Sequence, residues 1–149
     1  MLENRYKKQL LLDDKIIWED DASGDEGWTH IVKDLSESMK PKQNHRITYR
    51  VISPLGVDDP MNEVVELLSW IDDCFIFNTS MTNTGFETKD LAPWQIQYFI
   101  PGTGIKKGGG IVNSNDFRSG TKAFRIRFPL KKVIQPGQYA DIYQDFICE

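Results

Sequence analysis

Short runs of alternating β-branched and aromatic residues, each stopped by Pro, Gly or Asn, constrain this chain most. Ile47, Tyr49 and Val51 alternate with Thr48, Arg50 and Ile52 until Pro54 and Gly56 end the run. Trp94, Ile96, Tyr98 and Ile100 share one side of a second run, with Gln95 and Gln97 on the other. Phe124, Ile126 and Phe128 alternate with Arg125 and Arg127 in a third, and Pro136-Gly137 leads into a fourth, Tyr139 to Cys148. A two-residue period is the signature of a strand with one buried face. Several such strands with turn residues between them favour a sandwich or barrel. Cys74 to Met81 reads as a further strand, followed by an Asn83-Thr84-Gly85 turn in which Gly85 supplies a positive φ.

The first 44 residues have a different texture. Leu2, Tyr6, Leu10 and Ile17 follow a loose helical spacing interrupted by Asp13 and Asp14. Thr29 fits the cap of a second helix with Ile31, Val32, Leu35 and Met39 on one face, stopped by Pro41. Residues 58–73 satisfy both periods: Val64, Leu67, Leu68 and Ile71 suit a helix begun at Asp59-Pro60, while Val64, Glu66, Leu68 and Trp70 suit a strand.

Phe75-x-Phe77-Asn78-x-Ser80-x-Thr82-Asn83-Thr84-Gly85, with Leu130 and Pro136-Gly137-Gln138, resembles the strand-turn wording of immunoglobulin-like bacterial sandwich modules. The resemblance covers about half the chain and implies a binding or assembly role with no catalytic residues. The expectation is therefore a mainly β, immunoglobulin-like β-sandwich or small barrel. An N-terminal helical segment over 1–44 packs on a domain spanning 45–149, with α+β as the alternative.

Charge is unevenly distributed along the 149 residues. Residues 1–73 hold 9 Lys/Arg against 16 Asp/Glu, while 101–133 hold eight against one, although the net charge is −4. Such asymmetry bears on binding rather than on fold. Within the basic stretch, Pro101-Gly102-Thr103-Gly104-Ile105-Lys106-Lys107-Gly108-Gly109-Gly110 is a glycine-rich loop whose backbone N–H groups could approach an anion, with Lys106 and Lys107 adding charge. It lacks the spacing of either nucleotide-binding glycine motif, and a simple hairpin connection accounts for it too. Arg125 and Arg127 share one strand face, where two guanidinium forks match carboxylate or phosphate. Solvated charge on an edge strand is the plainer reading. The candidate ligand-binding residues are thus Lys106, Lys107, Gly108, Arg125 and Arg127.

Other chemistry has little raw material. His30 and His45 stand outside any metal or nucleophile motif, so a hydrolase needs one of them beside a carboxylate or nucleophile in a pocket. The acidic run Glu19 to Glu26 misses the spacing of a calcium loop. Cys74 and Cys148 read as two buried thiols in a reduced, cytoplasmic protein. No stretch has the apolar length of a membrane span, and an acidic pI near 5.2 argues against nucleic acid.

The sequence therefore points to a non-enzymatic accessory protein that uses neither metal nor cofactor. Its binding module recognises an anionic small molecule, nucleotide-like or phosphate-bearing, or an acidic protein surface. The alternative is a protein-protein interaction subunit of inhibitor, immunity or adaptor type using hydrophobic sandwich faces, and a homo-oligomer fits either reading. The acidic N-terminal segment could itself dock on the basic stretch, within one chain or from a neighbouring subunit.

Overall fold

The computed structural model describes residues 6–21, 28–58, 68–87, 92–107, 111–113, 123–127 and 133–149. Its strands are β1 (Lys7–Leu12), β2 (Lys15–Asp21), β3 (Asn44–Ser53), β4 (Val57–Asp58), β5 (Leu68–Ile71), β6 (Gln95–Ile100), β7 (Gly104–Lys107), β8 (Ile111–Asn113), β9 (Ala123–Arg127), β10 (Val133–Ile134) and β11 (Gln138–Ile147). The protein is mainly β, built on one antiparallel sheet of six strands in the order β2-β1-β3-β11-β6-β7. A second sheet has the order β5-β9-β8, and β10 pairs with β4. No helix among the described residues is long and apolar enough to cross a membrane.

The N-terminal helices expected from the sequence are replaced by strands and turns. Leu12 pairs with Lys15 across a two-residue turn in which Asp13 and Asp14 have φ of 52° and 67°. Positive φ at both turn positions matches the right-handed twist of a hairpin, and aspartate tolerates it better than most residues. The two acids that seemed to interrupt a helix therefore turn a hairpin. The second expected helix is also absent: residues 28–35 have no regular structure, and a turn occupies 36–38. There the Asp34 carboxylate accepts from both the backbone N–H and the hydroxyl of Ser36, bonds that compete with a helical ladder. Val32 is 78% exposed, while Leu35 and Met39 pack against the core.

β3 and β11 are ten residues each and form the centre of the large sheet. Their direct partners, from Ser53 opposite Gln138 to Asn44 opposite Ile147, fix the face of every neighbour. One face carries Ile47, Tyr49, Val51, Ile142 and Phe146 into a core completed by Tyr6, Leu12, Phe86, Trp94, Phe124 and Ile134. Phe86 rests between Trp94 and Phe124, with ring centroids 5.0 and 6.0 Å away. The Tyr49 hydroxyl hydrogen-bonds Ser69 Oγ of β5.

The opposite face is polar yet well covered. Arg46 and Arg50 of β3 lie over the rings of Tyr143 and Tyr139, at 4.0 and 3.7 Å from the centroids. Leu11, Thr48, Gln97, Asp141 and Tyr143 on this face are all buried.

Other expectations also need correction. Cys74 to Met81 is not a continuous strand: Asn78 has φ 58°, and a single bridge joins Thr79 to Cys148. Of the predicted turn Asn83-Thr84-Gly85, Asn83 takes a positive φ of 50° and Gly85 does not, while Phe86, just after it, has φ 57°. Trp94 Nε1–H donates to the Asn83 carbonyl at 2.8 Å and holds this turn on the core. Of residues 58–73, 68–71 are a strand, and residues 59–67 lie outside the described part. Both cysteines are free; the Cys74 thiol is buried against the core although the residue as a whole keeps some exposure, and Cys148 is half-buried rather than fully buried.

Candidate functional site

Of the sequence-predicted loop at 101–110, residues 101–107 form the turn and outer strand of a hairpin. Thr103 N–H donates to Ile100 O at 2.9 Å, and Gly102 and Gly104 take φ of 85° and 88°, so β6 reverses into β7. Lys106 and Lys107 are therefore strand residues, opposite Tyr98 and Gln97, on an outer strand of the six-stranded sheet. Lys106 and Ile105 are exposed. Gly108 lies outside the described residues, as do Arg118, Lys122, Lys131 and Lys132.

Arg125 and Arg127 belong to β9, the middle strand of the three-stranded sheet rather than an edge. Arg125 is opposite Trp70 on one side and Ile111 on the other, and Arg127 is opposite Leu68. The side chains of Lys107, Arg125 and Arg127 fall outside the described part. The lysine pair and the arginine pair thus stand on different sheets, joined by the chain itself. Only residues 108–110 separate β7 from Ile111, which pairs with Arg125. Four chain steps span at most about 14 Å.

A cluster the sequence did not single out lies on the polar face of β3 and β11. Arg50 Nε and Nη2 donate to Asp141 Oδ1 and Oδ2 at 2.8 and 2.9 Å, and Gln97 Nε2 donates to Oδ2 at 3.0 Å. Burial works against the Arg50 charge, but hydrogen bonds and charge from Asp141 outweigh it and hold the guanidinium pKa above its ordinary value. Arg46 makes a second fork on Asp145, at 2.6 and 3.1 Å. The alternation Arg46-x-Thr48-x-Arg50 opposite Tyr139-x-Asp141-x-Tyr143-x-Asp145 was the available signal. At the sheet margin, Glu19 accepts from Gln9 at 2.6 Å and from Lys7 at 3.2 Å, and these bonds lower its pKa.

A shallow cleft of about 440 Å³ is lined by Asp13, Asn44, His45, Arg46 and Asp145. In it His45 Nδ1 is 2.6 Å from Asp13 Oδ2, while His45 Nε2 accepts from Lys40 N–H at 3.2 Å. Nε2 also lies 3.4 Å from the Lys40 carbonyl oxygen. Asp13 Oδ1 also accepts from Arg46 N–H at 2.8 Å. The Nδ1 contact with Asp13 thus ties the first hairpin turn to β3, while Nε2 faces the Lys40 backbone. His30 is exposed. No group of His, Cys, Asp and Glu suited to a metal occurs among the described residues.

Comparison of the chain with protein-family models, curated proteins and solved structures finds no match in any of the three.

Proposed function

We propose that this is a non-enzymatic binding module for an acidic protein surface, taken up as an extended segment along β7. The carrying observation is Lys106, exposed on a strand whose outer side has no hydrogen-bonded neighbour among the described strands. Such an edge offers backbone donors and acceptors as well as charge, which suits a peptide strand better than a compact phosphate ligand. Arg125 is the register partner of Ile111, four residues after Lys107 in the chain, and belongs to the same basic stretch. The core that joins Phe124 to Val51 and Ile142 supports a two-layer sandwich as the scaffold. Free thiols at Cys74 and Cys148 suit a reducing cytoplasm. We read His45 and Asp13 as a structural clamp rather than a hydrolytic pair.

Fluorescence anisotropy with a labelled glutamate-rich peptide tests this reading, with ATP as competitor. Binding weakens as salt rises and is lost on charge reversal of Lys106, Lys107, Arg125 and Arg127 together, while the fold is kept. Undiminished binding by that folded variant would overturn it. Displacement by ATP at stoichiometric level would move the reading to the nucleotide-like ligand.

A second reading, a hydrophobic assembly subunit, is favoured by one observation. Phe75 and Phe77 are exposed, 54% and 80%, and stack edge to face with centroids 5.1 Å apart. Salt-tolerant association abolished by F75S/F77S would support it.

A further inference from the structure

We propose that the acidic partner of β7 includes a second copy of this chain. The β2 edge of one copy continues the sheet of the next, so that copies join head to tail. This deepens the reading of β7 given above and rests on it.

The register of the sheet carries the inference. Lys106, Tyr98, Ala140, Val51, Lys8 and Asp20 are successive cross-strand partners, forming one row from β7 to β2. The neighbouring row is Lys107, Gln97, Asp141, Arg50, Gln9 and Glu19. Both rows end in a lysine at one edge of the sheet and an acid at the other. Every pairing in the sheet is antiparallel, and six strands make β7 run opposite to β2. A copy displaced sideways along the rows therefore brings β2 antiparallel to β7, with Asp20 opposite Lys106 and Glu19 opposite Lys107. Faces match as well, because opposed residues of a continued sheet lie on the same side.

Charge disfavours a β7–β7 junction and a parallel β2–β2 junction. β7 carries two lysines, and β2 carries Lys15 against Glu19, Asp20 and Asp21. Bringing two β7 edges together opposes like charges, and so does bringing the acidic ends of two β2 edges together in parallel. The β2–β7 contact opposes unlike charges. Ile16 and Ile105, both about half exposed, add apolar surface at the two edges. The described part of the acidic segment, β2, does not pair with Lys106 and Lys107 of its own copy. Four strands stand between β2 and β7, a separation along the sheet of about 24 Å at the usual strand spacing. A contact between unlike patches generates a ring or an open filament.

Sedimentation velocity of the full chain over a concentration series at low ionic strength tests the junction. The expected mass climbs past a dimer with concentration. Asp20→Lys and Lys106→Glu each lower the association constant about tenfold or more. The double variant D20K/K106E, or a one-to-one mixture of the two single variants, restores assembly. Loss of a fold would not be repaired by mixing, so the rescue separates contact from stability. A monomer at every concentration, a closed dimer, or an assembly indifferent to both swaps would overturn the proposal. If the chain stays monomeric but K106E still loses the glutamate-rich peptide, this inference fails while the binding function stands.

Discussion

Arg50 grips Asp141 with two hydrogen bonds of 2.8 and 2.9 Å, and Asp141 is 0% exposed. A fully buried carboxylate in the centre of a sheet is tolerable only because the guanidinium and Gln97 replace the water it has lost. Removing one partner of such a pair strands the other. Asp141→Asn is therefore expected to destabilise the protein by about 3 kcal/mol or more in urea unfolding. R50M/D141L should recover most of that loss, because an apolar pair leaves no orphaned charge.

The second fork on the same face behaves differently. Arg46 and Asp145 are 36% and 51% exposed, so Asp145→Asn should cost only about 0–1 kcal/mol and still less in high salt. Arg46→Ala should cost more than Asp145→Ala, since Arg46 also covers the Tyr143 ring at 4.0 Å. Equal costs would show that the stacking contributes nothing.

Alkaline pH should unfold the protein in a defined window. Burial raises Tyr49 from 10.0 to about 12 and the Cys74 thiol from 9.0 to about 12. Both groups keep their protons longer when folded, so the unfolded state binds fewer protons above pH 9. Their stabilising contribution is complete below pH 9 and is lost progressively towards pH 12. Urea midpoints measured from pH 8 to 11 should fall, and less steeply in Cys74→Ala. The same shift predicts that Cys74 resists thiol reagents in the native state at neutral pH.

Gly56 should tolerate no side chain. It has φ 72°, and a Cβ there would lie 2.5 Å from the Ile134 carbonyl oxygen and 2.8 Å from Pro136 Cδ. Gly102, at φ 85°, has nothing within 4 Å of that position. Gly102→Ala should cost about 1–2 kcal/mol from backbone strain alone, and Gly56→Ala clearly more, by thermal or urea unfolding.

The central strands were legible because their chemistry is local. Ile47, Tyr49 and Val51 alternate inward over β3, and Ala140, Ile142 and Phe146 do so over β11. The first hairpin was hidden by a conflict of patterns. Leu10, Leu11 and Leu12 run together because Leu11 is buried on the opposite face from Leu12, so the strand period vanishes. Ile17 is the extra residue at the register shift between Leu10 and Leu11, which further spoils alternation in β2. The candidate site was legible residue by residue but not as an arrangement. That Lys106 and Arg125 lie on different sheets follows from strand pairing, which is non-local. The Arg50–Asp141 pair, 91 residues apart in sequence, was invisible for the same reason.

The pairing of β3 with β11 sets the order in which the molecule can be assembled. Ser53 waits for Gln138, 85 residues later, and Asn44 for Ile147, 103 residues later. During synthesis the first hairpin can form early and β3 can join it, leaving one long strand edge unfilled until β11 emerges. Closing loops of this length makes folding slow compared with local hairpin formation. The waiting edge of β3 is then the segment most open to capture by a chaperone or by another nascent copy.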